Sequence, residues 1–261
     1  MDLMKVAVLV KPALDTSQLR VREGRVVVEE TPLKINDIDR NAVEEALKLK
    51  GGDKAYAVSV LKWPPLQRRV QEAENLLREA LAMGLDEAYL VADEGLLGAD
   101  QAATAKAIAA VVKKVGADLV LAAEASIDNY TGEVPPRVAA ELGWPLLTYV
   151  REMKAEGGKV VARRDLEDSV EVVEVQPPAV ISVTREINQP RIPTLLAIRA
   201  AMKKPVNKLG LAELGLGPEP RAELAELRPV VIQRKRVIIK DGTPEEKADK
   251  LLQYLRQEGV I

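Results

Sequence analysis

Residues 118–136, DLVLAAEASIDNYTGEVPP, carry the features of a buried strand, a polar loop and the start of a helix. The first four residues, DLVL, predict the strand, and the polar loop DNYTG follows at residues 128–132. The spacing of Val138 and Leu142 predicts a helix over residues 134–142 with one apolar face. The stretch is therefore predicted to be a strand–loop–helix unit of an α/β fold.

This unit has the features of an anion-binding site. Pro135 and Pro136 lack backbone N–H groups and fit only the first turn of the helix. The loop and the helix start bring free N–H groups and the positive end of the helix dipole to one place. Thr131 can add a hydroxyl donor, and Gly132 lets a phosphate approach the backbone closely. The alternative interpretation is an ordinary βα turn with a well-capped helix, which many α/β folds contain.

The composition of the 261 residues excludes several kinds of chemistry. Cysteine is absent, so disulfides, thiol catalysis and cysteine-held metals are excluded. Histidine is also absent, which removes the commonest general base and the usual zinc ligands. No catalytic residue and no metal site are predicted. This composition suits a carrier whose chemistry resides in a bound cofactor.

Charge and hydropathy argue against nucleic acid and against stable membrane insertion. The formal net charge is −2, without a large field of one sign. No apolar run is long enough to span a bilayer. The first strand begins at residue 5, with no signal-peptide pattern before it, so a cytoplasmic location is expected.

Strands and helices alternate through the first half of the chain. Strands are predicted over residues 5–10, 55–60, 87–91 and 118–121, with a hairpin excursion at 20–30. Helices are predicted over residues 38–50, from Pro65 to a stop at Gly84, over 100–115 and over 134–142, the first of them capped by Asn36 and Asp37. The strands are apolar without alternation, which favours a parallel sheet covered on both faces.

Ligands in such sheets bind beyond the carboxyl ends of the strands. Three loops should converge there: the loop after Leu9, the loop that contains Asn36, and the loop after Leu121. The chain contains neither GxGxxG nor GxxxxGK[ST], so the dinucleotide fingerprint and the P-loop are both unavailable.

The pattern changes after Gly143. Residues 146–154, 159–164 and 170–175 predict antiparallel strands, and residues 179–183 predict one more strand. A proline-containing loop at 186–194 then leads into a short helix over 195–203. Leu195 and Leu196 open that helix, where solvent or a partner protein is the expected neighbour; the alternative is that they turn inward.

From residue 204 onward the core-building periodicity is lost. A short strand is predicted over 230–232, and an amphipathic helix over 244–257 with Thr243 as its cap. We interpret residues 206–261 as a C-terminal arm that packs on another subunit. The alternative is a peripheral tail that packs on its own domain.

Four stretches together resemble the beta subunit of electron transfer flavoprotein, over essentially the whole chain. They are KVAVLVKPALD at 5–15, NDIDRNAVEEALKLK at 36–50, DLVLAAEASIDNYTGEVPPRVAAELGWP at 118–145, and VEVVEVQPPAVISVTREINQPRIPTLLAIRAAMKKP at 170–205. The last is the most specific, because its Asn-x-Pro-Arg pattern followed by Thr-Leu is not generic α/β sequence.

The resemblance implies a fold, a function and a set of partners. The fold is a Rossmann-like, doubly wound, mainly parallel sheet of the adenine nucleotide alpha hydrolase type, with antiparallel additions and the extended C-terminal arm. The beta subunit pairs with an alpha subunit that holds most of the FAD, and it binds AMP itself. The heterodimer carries electrons from flavoprotein dehydrogenases, such as the acyl-CoA dehydrogenases of fatty acid oxidation, to a membrane quinone oxidoreductase.

The resemblance also implies site residues. The AMP site comprises Leu9, Asn36, Asp37, Ile38, Asp39, Val60, Ala123, Glu124, Ala125, Ser126, Ile127, Asp128, Asn129, Tyr130 and Thr131. These residues lie on the loops that the sheet argument brings together. Residues 1–205 form the nucleotide-binding domain, with a recognition loop at 184–205 in which Leu195 is the anchoring leucine for dehydrogenases.

Departures from the family pattern leave two other hypotheses open. Asp37 stands where many relatives have proline, and Thr16 and Ile38 stand where relatives often have aromatic residues near the flavin. One alternative is the beta subunit of an electron-bifurcating flavoprotein, with a second, redox-active FAD in the AMP pocket. The other is a stand-alone ATP-binding α/β module that needs no partner.

Overall fold

The computed structural model describes residues 4–219, 222, 224–230 and 235–261. They fall into two compact units, Met1–Arg228 and Pro229–Ile261. The predicted strand over residues 230–232 lies mostly outside the described residues. None of the helices within the described ranges is both long enough and apolar enough to cross a membrane.

The strands, in chain order, are β1 (Val6–Leu9), β2 (Pro12–Leu14), β3 (Val21–Arg22), β4 (Arg25–Val26), β5 (Leu33–Ile35), β6 (Ala55–Leu61), β7 (Glu87–Ala92), β8 (Leu119–Ala123), β9 (Leu146–Glu156), β10 (Lys159–Asp165), β11 (Val170–Val175), β12 (Ala179–Val183) and β13 (Val206–Leu209). The α-helices are α1 (Asp39–Leu49), α2 (Leu66–Met83), α3 (Gln101–Val115), α4 (Val134–Leu142), α5 (Leu195–Ala201) and α6 (Pro244–Gln257). Apart from α6, all of these elements lie in the larger unit.

A nine-stranded sheet organises the larger unit, in the order β11-β10-β9-β12-β8-β1-β6-β7-β13. From β9 to β13 the neighbouring strands are parallel, whereas β10 and β11 add antiparallel pairs at one edge. Val8 of β1 lies opposite Ala57 of β6 on one side and Leu121 of β8 on the other. The prediction of a mainly parallel α/β sheet with antiparallel additions is confirmed.

The central strands are apolar on both faces because helices cover both sides of the sheet. Val6 and Val8 belong to one buried cluster together with residues of α1 and α2, such as Val43 and Leu77. The residue between them, Ala7, belongs to a second cluster with residues of α3 and α4. This doubly wound arrangement leaves the carboxyl ends of the strands as the open edge on which a ligand site can form.

Helix boundaries follow the capping signals in the sequence. Helix α4 spans the predicted residues, and α2 ends at Gly84 as expected. Asp100 caps α3 by accepting a hydrogen bond from the Ala103 N–H at 2.8 Å. In the smaller unit, the side chain of Thr243 accepts from the Glu246 N–H and completes a capping box at the start of α6. These helix predictions are confirmed.

Two predictions of local structure are wrong. Asn36 and Asp37 do not cap the first helix: α1 begins at Asp39, after Ile38, which makes no side-chain cap. The Asn36 carboxamide instead forms hydrogen bonds with the loop after β8, as described below. The predicted end of the core at residue 204 is also wrong, because Val206–Leu209 extends the sheet as β13, parallel to β7.

The larger unit continues beyond residue 204 because β13 joins its sheet. Leu209 and Leu211 are buried, and the compact unit continues to Arg228. The predicted boundary between residues 205 and 206 therefore falls inside the larger unit. Strand β9 also differs from its predicted antiparallel role, since its start pairs parallel with β12 and its end antiparallel with β10.

Candidate functional site

Three loops meet at the carboxyl edge of β1, β6 and β8, and Asn36 ties two of them together. Its Oδ1 accepts a hydrogen bond from the Ile127 N–H at 3.1 Å, and its Nδ2 donates to the Ala125 carbonyl at 3.1 Å. Nδ2 also donates to Oδ1 of Asp39 at 2.8 Å. Asn36 is buried and fully engaged, so its role is to fix the loop after β8 against the start of α1.

Lys11 and Asp128 form the second tie between these loops. The Lys11 ammonium donates to Asp128 Oδ1 at 2.5 Å and to Ser126 Oγ at 2.9 Å. Asp128 Oδ2 accepts from the Leu14 N–H at 3.1 Å. Burial acts to raise the pKa of Asp128, but Lys11 and these hydrogen bonds hold it below its ordinary value. Asp128 is therefore a charged group that fixes the loop after β8 to the chain that follows β1.

Asp39 is a buried carboxyl at the first turn of α1. It accepts hydrogen bonds from the Lys11 N–H at 2.7 Å and from Asn36 at 2.8 Å. Burial raises the pKa of Asp39 to about 7, against the lowering effect of those hydrogen bonds and of the Lys11 charge. The Asp39 carboxyl therefore changes from neutral to negatively charged as the pH rises through neutrality.

A cleft opens between these loops and the start of α3. Its floor is apolar, with Leu9, Val58 and Val60 from the sheet and Ile108 from α3. Its polar rim includes Lys11, Asn36, Asp39, Lys62, Gln101, Thr104, Glu124, Ser126, Asn129, Thr131 and Glu133. An apolar floor with a few polar groups is the usual composition of a small-ligand site.

The side of the cleft formed by residues 131–134 offers backbone donors. Among the described residues, no protein group accepts a hydrogen bond from the N–H of Gly132, Glu133 or Val134. The chain passes Gly132 at a φ of +65°, and a side chain there would meet the Glu124 carbonyl oxygen at 3.4 Å. Proline follows at both next positions of α4, so the free backbone donors end at Val134, the first residue of the helix.

The structure brings most of the predicted AMP residues to the cleft and leaves some outside it. Those that line the cleft are Leu9, Asn36, Asp39, Val60, Ala123, Glu124, Ala125, Ser126, Asn129 and Thr131. Those that do not are Asp37, Ile38, Ile127, Asp128 and Tyr130. Asp37 pairs with Lys34 and Arg40, at 2.9 and 2.8 Å. Tyr130 projects into solvent, with 70% of its surface exposed.

Lys11 and Lys62 are the main polar residues of the cleft that the sequence analysis missed. They lie just beyond the carboxyl ends of two neighbouring parallel strands, β1 and β6. That position was a usable signal, because it is where ligands bind in parallel sheets. Gln101 and Thr104 were also missed, since they sit in an ordinary helical pattern at the start of α3.

The predicted recognition loop presents apolar side chains to solvent. Ile192 is 91% exposed, Leu195 is 79% exposed and Leu196 is 78% exposed. Thr194 caps α5 by accepting a hydrogen bond from the Ala197 N–H at 3.2 Å. The alternative that Leu195 and Leu196 turn inward is therefore wrong for this chain, and the two leucines form an exposed apolar surface.

Comparison with known proteins agrees with this architecture. Residues 24–214 match the family described as "Electron transfer flavoprotein domain". The chain is 36% identical to the electron transfer flavoprotein subunit beta of Thermoanaerobacterium thermosaccharolyticum, over 99% of this chain and 100% of the relative. It is 39% identical to the subunit beta of Clostridium acetobutylicum, over the same shares of the two chains.

A third relative has a different name. The "Caffeyl-CoA reductase-Etf complex subunit CarD" of Acetobacterium woodii is 37% identical, over 83% of this chain and 82% of the relative. The family match covers most of the chain, and the subunit-beta relatives align from end to end. The chain therefore belongs to the electron transfer flavoprotein family, among its beta subunits, which are electron-carrier subunits and not enzymes.

Proposed function

We propose that this chain is the beta subunit of a heterodimeric electron transfer flavoprotein and that its cleft binds AMP. The observation that carries the proposal is the cleft itself, with its apolar floor and the free N–H groups of Gly132, Glu133 and Val134. An adenine ring suits the apolar floor, and a phosphate suits the free donors. In this proposal FAD is held mainly by the alpha subunit.

The residues present fit a nucleoside monophosphate. Leu9 and Val60 can pack on the faces of a purine, and the backbone of residues 123–126 can hydrogen-bond to its edge. Two of the residues outside the cleft hold its loops in place. Asp128 binds the Lys11 ammonium, and the Ile127 N–H donates to Asn36. AMP would then stabilise the junction of the three loops, while electron transfer takes place at the flavin.

The exposed leucines supply a docking surface for electron donors. We infer that Leu195 anchors flavoprotein dehydrogenases, such as acyl-CoA dehydrogenases, and that electrons leave for a membrane quinone oxidoreductase. Burial of one leucine contributes about 2 kcal/mol. That is enough to favour docking and too little to make it permanent, which suits a carrier that must change partners.

The C-terminal arm is proposed to pack on the alpha subunit, with the heterodimer in the cytoplasm. Leu251, Leu252 and Tyr254 of α6 are 50%, 43% and 41% exposed. A helix with three large apolar side chains in solvent is a candidate for burial against a partner. A stand-alone ATP-binding module would instead give a stable monomer in gel filtration without the alpha subunit, and the similarity to beta subunits over the whole chain argues against it.

A second candidate function is an electron-bifurcating complex in which the cleft holds a redox-active FAD. The similarity to the CarD subunit of a caffeyl-CoA reductase complex favours it. FAD shares the adenosine part of AMP, so both ligands would use the same apolar floor. They differ in the second phosphate and in the flavin, for which the cleft would need further space and donors.

Extraction of the bound nucleotides from the co-expressed heterodimer tests these proposals. The purified complex is unfolded, and its nucleotides are identified and counted by chromatography and mass spectrometry. One FAD and one AMP per heterodimer is the expected result. Two FAD molecules without AMP would overturn the AMP proposal in favour of the bifurcating complex, and FAD alone would contradict both.

A further inference from the structure

The two lysines of the cleft are in different electrostatic situations. Lys11 is engaged by Asp128 and Ser126, at 2.5 and 2.9 Å. The Lys62 ammonium makes no ion pair or hydrogen bond in the part of the chain that the structure describes. It lies 5.2 Å from the centre of the Trp63 ring, in a cation–π contact. Lys62 is thus the lysine of the cleft whose hydrogen-bond donors are available to a ligand.

The surroundings of Lys62 disfavour the charged form of its side chain. Burial lowers the pKa of Lys62 to about 8, and the nearby charge of Lys11 acts in the same direction. Asp128 and Asp100 act in the opposite direction, but neither reaches Lys62 with a hydrogen bond. The carboxyls that line the cleft itself are Asp39, Glu124 and Glu133. An anion beside Lys62 would stabilise the charged form of its side chain.

We propose that Lys62 is the side-chain cation that binds the phosphate of the nucleotide in this cleft. The inference rests on the proposed function, and it adds a specificity: the cleft selects a phosphorylated nucleoside over the free nucleoside. Lys62 lines the same cleft as the free N–H groups of Gly132 and Val134, so one phosphate could use both kinds of donor. A charge-assisted bond from an ammonium is the stronger of the two.

The test compares AMP with adenosine on the nucleotide-depleted heterodimer, by isothermal titration calorimetry. Lys62→Met keeps the aliphatic stem and removes the charge. We expect AMP affinity to fall about tenfold or more, while adenosine affinity changes less than about twofold. Lys62→Arg should retain most of the AMP affinity. Lys114→Met removes an exposed charge later in α3 and should leave both affinities unchanged.

The outcomes separate this inference from the proposed function. If wild-type heterodimer binds AMP and Lys62→Met binds it equally well, the role of Lys62 is rejected while the AMP site stands. If Lys62→Met weakens AMP and adenosine alike, the side chain supports the structure of the cleft and does not bind phosphate. If the wild type binds neither ligand, the proposed function fails and this inference fails with it.

Discussion

Asn41 and Asn188 exchange hydrogen bonds in both directions. Asn41 Nδ2 donates to the carbonyl oxygen of Asn188 at 2.8 Å and to its Oδ1 at 3.1 Å. Asn188 Nδ2 donates back to the carbonyl oxygen of Asn41 at 2.9 Å. One turn further along α1, Glu44 binds the Arg191 guanidinium with both oxygens, at 2.7 and 2.8 Å. Helix α1, which starts at the cleft, therefore also fixes the base of the recognition loop.

Removal of the Asn188 side chain should loosen that loop. Asn188→Ala leaves the buried amide of Asn41 with fewer partners, at a cost of roughly 1–3 kcal/mol to the local structure. We expect faster amide hydrogen exchange at residues 185–194, measured by mass spectrometry on the heterodimer. The matched control is Gln189→Ala, because Gln189 is exposed and adjacent. Equal exchange in the two variants would show that the asparagine pair does not hold the loop.

Leu195 should matter for docking and not for assembly. Leu195→Ala removes apolar surface worth about 2 kcal/mol, so dehydrogenase-driven flavin reduction should need up to roughly thirtyfold more heterodimer for half-maximal rate. Gel filtration should still show an intact heterodimer. Val172→Ala on β11 provides the control, since Val172 is 72% exposed and lies outside the loop. Unchanged kinetics for Leu195→Ala would refute the anchoring role.

Arg69 should be a main contributor to stability, in contrast to its neighbour Arg68. Arg69 is fully buried and donates to the carbonyl oxygens of Pro64, Val28 and Thr31. Arg69→Met would remove one hydrogen-bond donor from each of these carbonyls, of which Val28 alone keeps another within the described part of the chain, the Thr31 N–H, and should cost roughly 3 kcal/mol of unfolding free energy.

The matched control is Arg68→Met, whose exposed side chain pairs with Glu72 on the helix surface. This variant should cost less than about 1 kcal/mol. Thermal unfolding of the two heterodimers gives the comparison, and proteolysis should cut residues 20–32 faster in Arg69→Met alone. Similar stability losses in both variants would contradict the assignment.

The pattern of the sequence predicted the sheet and most helices because their signals are local. Gly84 and Gly116 mark helix ends, and Asp100 and Thr243 mark helix starts. Strand β13 was missed because four residues at the edge of a sheet show no distinctive period; the position of β13 is fixed by pairing with β7. Short edge strands depend on tertiary context that a local pattern does not contain.

The site was predictable in outline and not in detail. The convergence of loops at the strand ends follows from parallel topology, and it is observed. The role of Asn36 was mistaken for a helix cap, since its partners at Ala125 and Ile127 are distant in the chain. Lys62 belongs to no sequence motif. That its ammonium lacks a hydrogen-bond partner among the residues that the structure describes depends on where the folded chain places the neighbouring carboxyls, which the sequence pattern does not give.

The buried carboxyl of Asp39 should make stability depend on pH. Its pKa is about 7 in the folded chain and near the ordinary 3.8 when unfolded, so the folded state binds the extra proton. The stabilising contribution is complete below about pH 4 and is lost as the pH rises through 7. Asp39→Asn mimics the protonated group. Its unfolding free energy relative to wild type should therefore rise by roughly 1 kcal/mol per pH unit between pH 5 and 7.

Asp37→Asn is the control that separates this effect from the general titration of the chain. Burial acts to raise the pKa of Asp37, but Lys34 and Arg40 hold it below its ordinary value. The contribution of Asp37 is therefore lost only as the pH falls below about 4, so its difference from wild type should be flat between pH 5 and 7. Thermal midpoints of the three heterodimers at several pH values give both differences. A flat difference for Asp39→Asn would mean that Asp39 stays ionised in the folded protein, with Lys11 compensating fully for its burial.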